Sequence, residues 1–328
     1  MPYLLGVDVG SGSAWTAICR RTPDRAGWGP AEPVATDSRP AVPGLLRRCG
    51  DDVPVYCDNL LITPQALVVE QARRAADMVW ERQGEGPERI AVACPTAWGP
   101  GRSGLLRAAF DDAGMSNVVL VTRARAVIER HRATGRPVAA GRPVAVCRIG
   151  RAGAEVAFVV PYEPGRLEVL GVAETDEFGG DDLAESTPAG AREVMAALVD
   201  VFRRTARACR IGLGDLAAVL PAGGGAAHPL VVEALAGAVT APIVRDDDPW
   251  LTVARGAALS LRPPGELRPP GELRPPGELS RVPEPVAEVL VMPTELLPVT
   301  NTRLGVPEPG EIPPRPPLQV AAPAVSRR

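Results

Sequence analysis

The chain opens on an apolar run that meets an acid and then a string of small residues: Leu4-Leu5-Gly6-Val7-Asp8-Val9-Gly10-Ser11-Gly12-Ser13. Residues 3 to 9 read as a buried strand, because no charged residue interrupts them before Asp8. Gly10 and Gly12 then free the backbone to turn, and Trp15 to Arg20 reads as the hairpin partner. An acid at the end of a buried strand can hold a magnesium-bound water, and turn amides form a concave nest for phosphate oxygens. A second glycine turn, Ala222-Gly223-Gly224-Gly225, follows a buried strand at Leu216 to Leu220. Two such turns predict two lobes that close on one ligand.

Composition narrows the chemistry. The 328 residues suffice for two core-forming domains. A formal net charge of -3 argues against a nucleic-acid partner. All 36 basic residues are arginine, which excludes any mechanism that needs a lysine. The six cysteines are scattered without a C-x-x-C pair, and His131 and His228 are the two histidines. Buried reduced thiols are expected, not a zinc site. No apolar run reaches the roughly 20 residues that span a bilayer. The N-terminal segment shows no basic region, long apolar stretch or cleavage site, so a cytoplasmic protein is expected.

Local signals place the remaining elements. Thr63 suits a helix N-cap and Pro64 the first helical position, and apolar residues from Leu67 to Trp80 recur at helical spacing until Gly84. Arg89 to Cys94 reads as a buried strand, Arg102 to Ala113 as a helix closed by Gly114, Val118 to Val121 as a strand and Ala124 to Thr134 as a helix. The segment 135–143 reads as the connection between lobes. Strands at Val144 to Ile149, Glu155 to Pro161 and Leu167 to Glu174 form a predicted meander, and helices follow at 189–210, 229–238 and 253–261. From Arg262 the hexapeptide R-P-P-G-E-L occurs three times in tandem, and proline stays frequent to Arg328. That composition predicts a disordered, proline-rich tail over 262–328, acting as a spacer or as a docking site for proline-binding modules. Val286 to Met292 is its one strand-like stretch.

Six segments in order resemble the heat shock protein 70 (DnaK-type) family of the actin-like ATPase fold. Gly6 to Ser13 is similar to the family's first phosphate loop, G-I-D-L-G-T-T-N. Ile90 to Trp98 resembles its V-I-T-V-P-A-Y-F strand, and Arg107 to Gly114 the Q-R-x-A-x-x-D-A-G helix. Phe178-Gly179-Gly180-Asp181-Asp182 resembles L-G-G-E-D, Gly223 to Pro229 the adenosine turn G-G-S-T-R-I-P, and Ala254 to Ala258 the closing A-x-G-A-A helix. The resemblance covers about residues 3 to 260. It implies an α/β, ribonuclease H-like fold with lobe I over 1–138 and a shortened lobe II over 139–261. It also implies an ATP or ADP site with Mg2+ on Asp8. Asp8, Gly10, Ser11, Gly12, Ser13, Gly150, Gly179, Gly180, Gly223, Gly224 and Gly225 would then hold the nucleotide.

The chain departs from the family where catalysis would sit. In place of the second phosphate loop D-L-G-G-G-T-F-D it has Arg148-Ile149-Gly150-Arg151-Ala152-Gly153-Ala154-Glu155. Arg148 therefore replaces the metal-associated acid, and Glu155 keeps the last one. Arg123 stands where the resemblance calls for a catalytic glutamate, and the catalytic lysine is absent. No catalytic residue is assigned. The two arginines could neutralise phosphate without metal, or simply pair with nearby acids. Residues 181–222 leave room for one long helix and a strand, so the small helical subdomain of lobe II is expected to be missing, as is the substrate-binding domain. Ala227 replaces the family's base-stacking arginine, and His228 reads as a loop residue. Two functions follow as expectations: a chaperone-related protein that binds nucleotide weakly with little or no hydrolysis, or a nucleotide-independent scaffold, regulatory or secretion-associated, that binds a protein partner. A third, an active sugar-kinase-like enzyme, would need a catalytic acid among Asp176, Asp181 and Asp182.

Overall fold

The computed structural model describes residues 1–22, 27–36, 44–57, 59–135 and 138–263, and these belong to one compact α/β unit. The tail from residue 264, with most of the hexapeptide repeats and the Val286 to Met292 stretch, lies outside the described residues.

Two sheets repeat one strand order. In the first, β1 (Tyr3–Val9) pairs antiparallel with β2 (Ala14–Arg21), which pairs antiparallel with β3 (Trp28–Val34). On its other edge β1 pairs parallel with β6 (Arg89–Cys94), and β6 with β7 (Val118–Thr122). In the second sheet β8 (Val144–Gly150), β9 (Gly153–Pro161) and β10 (Leu167–Thr175) form the meander, and β11 (Ala218–Ala222) runs parallel to β8. A parallel bridge from Val219 to Ile243 adds a fifth position beyond β11. Each sheet is thus a three-stranded meander whose first strand continues into a parallel edge. A small hairpin, β4 (Val55–Cys57) with β5 (Leu60–Ile62), follows the one-turn helix α1 (Leu45–Arg48).

The helices start and stop where the sequence signals them. Thr63 accepts from the Ala66 amide and Pro64 opens α2 (Pro64–Gln83), which closes on Gly84 at φ 75°. In α3 (Pro100–Asp112), Gly114 at φ 77° allows the chain to leave. Thr122 caps α4 (Arg123–Ala133) and Thr187 caps α6 (Pro188–Ala208). His228, expected as a plain loop residue, accepts from the Leu230 amide and caps α7 (Pro229–Ala238). Residues 181–222 hold α5 (Gly180–Glu185), α6, a single 3-10 turn and β11, so no further helical subdomain fits between Gly180 and Gly223.

Strand alternation sorts side chains into three cores. Tyr3, Leu5, Val7 and Val9 of β1 face α2 and α3. Ala145, Cys147 and Ile149 of β8 face α6 and α7. The opposite faces, Leu4 of β1 with Val144 and Val146 of β8, share a central core with α4 and with α8 (Thr252–Leu259). The layers therefore run helix, sheet, helix, sheet, helix.

The central layer depends on two glycines. A Cβ on Gly6 would meet the Ala254 carbonyl, and one on Gly256 would meet the Ala126 carbonyl. Helix α8 thus lies backbone-close to β1 on one side and to α4 on the other. Gly256→Ala is expected to lower stability by about 1–3 kcal/mol, overpacking outweighing the gain of about 1 kcal/mol in helix propensity. Gly104→Ala, in α3 where an added Cβ meets nothing within 4 Å, should be neutral or stabilising by about 0.5–1 kcal/mol. Urea denaturation of the two variants beside the parent chain checks both.

Candidate functional site

Period-2 alternation decides which residues meet in the centre. Counting along β1 from Leu4, Asp8 falls on the inner face. Counting along β8 from Val144, Arg148 does too, and along β9 Glu155 shares the inner face with Ala157 and Val159. These positions lie toward the carboxyl ends of β1 and β8, where the loops Gly10–Ser13 and Arg151–Ala152 turn back.

The expected glycine turns converge. A cavity of about 280 Å³ is lined by Asp8, by Gly10, Ser11, Gly12 and Ser13, by Gly150 and Gly180, and by Gly223, Gly224 and Gly225. That is ten of the eleven residues expected at the site. The eleventh, Gly179, is buried behind it, where its amide donates to Asp182 Oδ2 at 2.7 Å. The Asp181 amide donates to the Arg151 carbonyl at 3.0 Å and docks the start of α5 on the β8–β9 turn. Gly223, at φ 86°, donates its amide to the Pro249 carbonyl at 2.8 Å. Side chains at several of these positions would close the assembly: a Cβ on Gly225 would meet Ile149, and one on Gly12 the Arg151 side chain. Trp15, Arg148, Arg151, Asp181 and Trp250 complete the lining. The two tryptophans carry no motif, and only tertiary structure brings them here.

Charge in the centre is organised around Asp8, which is 2% exposed. Arg148 Nη2 lies 3.4 Å from its Oδ2, and Arg123 Nε lies 3.7 Å from its Oδ1. Arg123 also reaches Glu155, with Nη1 3.9 Å from Oε2. Glu155 is held by the Thr96 amide at 3.0 Å and the Thr96 hydroxyl at 2.6 Å, while the same hydroxyl accepts from the Ala124 amide at 3.1 Å. Asp8, Thr96 and Arg123 come from the first half of the fold, and Arg148 and Glu155 from the second. Burial, and then Arg148, hold the Arg123 guanidinium below its ordinary pKa, while the surrounding carboxylates oppose them. A smaller cavity of about 50 Å³ adjoins this cluster, lined by Arg47, Arg123, Arg148, Glu155 and Glu174 among others. Glu174 sits opposite Glu155 in the β9–β10 register, a pairing that sequence spacing does not show. Burial and then Glu155 raise its pKa.

This donor set does not fit the Mg2+ expected on Asp8. Two guanidiniums face the carboxylate, and they repel a divalent cation. Among the described residues no group of three or more His, Cys, Asp or Glu is arranged to hold a metal. The acids proposed for a kinase-like base are engaged as well. Asp176 pairs with Arg47 at 3.2 Å, Asp181 with Arg151 at 2.6 Å, and Asp182 holds the Gly179 amide.

Further bonds tie the halves together. Arg47 of α1 donates to the Ala152 carbonyl at 2.6 Å, and Arg130 of α4 holds the buried Asp246 at 2.6 and 3.1 Å. All six cysteines are free thiols. Burial pushes Cys147 and Cys49 up to about 12 and Cys94 up to about 11, which keeps them unreactive. No helix among the described residues is long and apolar enough to cross a membrane.

No protein-family model matches this chain, and no curated protein sequence matches it.

Two outcomes test the cluster. Arg148→Leu leaves Asp8 facing Arg123 alone and should cost about 3 kcal/mol or more. Asp8→Leu/Arg148→Leu should cost less than the sum of the two single changes, as a double-mutant cycle in urea would measure. Because the folded pKa of Glu174 is raised, its contribution is favourable below the unfolded value and is lost as pH rises through the folded one. Glu174→Gln should therefore be more stable relative to the parent at pH 7 than at pH 4, read by thermal melting.

Proposed function

We propose that this chain is an actin-like, heat shock protein 70-related protein whose cleft binds ADP or ATP weakly, without metal and without hydrolysis. The observation that carries the reading is the pair of guanidiniums at the meeting point of the two halves: Asp8 between Arg148 and Arg123. The repeated strand order of the two sheets supports the fold assignment. The convergence of four glycine turns on one cavity supports the ligand class.

Phosphoryl transfer needs a positioned metal, stabilisation of developing charge and an oriented nucleophile. Removing one such group costs on the order of a hundredfold to a thousandfold in rate. Here Arg148 and Arg123 stand in two of the positions and the lysine is missing, so hydrolysis by the family route has no machinery. Arginine matches phosphate bidentately and carries its charge without metal. Phosphates entering the cavity would take Arg148 and Arg151 from Asp8 and Asp181, their present partners. That competition makes affinity low.

A second reading has its own observation. The cluster joins Asp8, Thr96 and Arg123 of one half to Arg148 and Glu155 of the other through side-chain contacts. A fold closed in this way can serve as a nucleotide-independent scaffold for a protein partner.

Calorimetric titration separates the two. Binding of ADP with Kd of about 0.1–1 mM, equivalent to roughly -5.5 to -4 kcal/mol, is expected in EDTA as in Mg2+, with no phosphate released from ATP. Absence of heat at millimolar nucleotide under both conditions removes the first reading and leaves the scaffold.

A further inference from the structure

The cavity has an aromatic wall that phosphate binding leaves unused. Trp15 enters it from the start of β2, and Trp250 from the turn ahead of α8. Trp15 stays 40% exposed although Thr16 to Cys19 beside it are buried. Trp250 is half-buried and held in place on both sides. The preceding Pro249 carbonyl accepts the Gly223 amide at 2.8 Å, and the following Leu251 amide donates to the Asp248 carbonyl at 3.0 Å. Arg255 in turn pairs with Asp248 at 2.8 Å.

One cavity thus holds two guanidiniums and an indole. Arg148 and Arg151 line it with the Gly10–Ser13 loop, and Trp250 lines it with the Gly223–Gly225 turn, where a Cβ on Gly224 would meet nothing within 4 Å. An indole carried on backbone that is hydrogen-bonded at both neighbouring residues offers a flat surface with few rotatable bonds to order on contact.

We infer that Trp250 is the stacking platform for the aromatic ring of a ligand whose phosphates lie toward Arg148. The ligand class is then a nucleotide or another aryl phosphate, not a bare polyphosphate. This rests on the nucleotide-cleft reading and adds the residue that sets its specificity.

The test titrates the full chain with ADP, adenosine and pyrophosphate, by calorimetry and by tryptophan fluorescence. Parent protein should bind ADP with quenching, and adenosine alone should quench. Trp250→Ala should weaken ADP about five- to a hundredfold, the range of base–aromatic stacking, and leave pyrophosphate unchanged. Trp250→Phe keeps a ring in place if the alanine variant folds poorly. It should retain ADP affinity and lose most of the ligand-induced quench, Trp15 remaining in the cavity wall. Equal affinity for ADP and pyrophosphate, with Trp250→Ala indifferent, overturns the stacking role and leaves the nucleotide cleft standing. Failure of the parent to bind ADP, adenosine or pyrophosphate overturns both.

Discussion

How closely α8 can approach β1 and α4 governs everything in the cleft. At Gly6 and Gly256 a single added methyl would collide with a main-chain carbonyl, so the helix sits at backbone contact on both sides. Its own residues there are Ala254, Ala257 and Ala258. Small residues make the central layer thin, and a thin central layer lets two sheets share one core. The carboxyl ends of β1 and β8 can then meet with side chains as short as aspartate. A bulkier helix would part the sheets, and Arg148 would no longer reach Asp8.

That geometry buries charges together, and the chain offsets them by ion pairing while Asp8 Oδ1, Arg123 Nε and Arg148 Nε make no hydrogen bond. A buried carboxylate without partners would cost several kcal/mol. Asp8 has two guanidiniums, and Glu155 has a guanidinium, an amide and a hydroxyl. The resolution fixes what the site can do, because function belongs to the site and not to the fold. Acids in the positions of Arg148 and Arg123 would leave the centre negative and require a cation. Arginines there leave it close to neutral.

Much of this was legible in sequence because the signals are local. Thr63-Pro64 and Gly84 bracket α2 as read, and the glycine turns gather on one cavity as their order along the chain suggested. The arginines at 148 and 123 are legible as well, standing where the resembling pattern has acids. Cross-strand register was not legible. Glu174 faces Glu155 only through the β9–β10 pairing, which shifts register between Val169 and Gly171. Trp250 lies in a turn with no periodicity, set by the hydrogen bonds of its neighbours, Pro249 to Gly223 and Leu251 to Asp248. The short α5 carries no sequence start signal, because its first turn is stabilised by Arg151 from another turn and by its own Asp182, not by a Ser or Thr cap.

The same contacts couple closure to ligand occupancy. Arg148 already faces Asp8, so on the proposed reading a phosphate ligand's observed affinity would be its intrinsic affinity reduced by the fraction of molecules with Arg148 released. Each 1.4 kcal/mol held in the Asp8–Arg148 contact lowers that affinity tenfold. Stronger closure therefore means weaker binding. On the reading proposed above, Arg148 is one of several groups that join the halves and also the group a phosphate would recruit, so its contact with Asp8 would set the affinity.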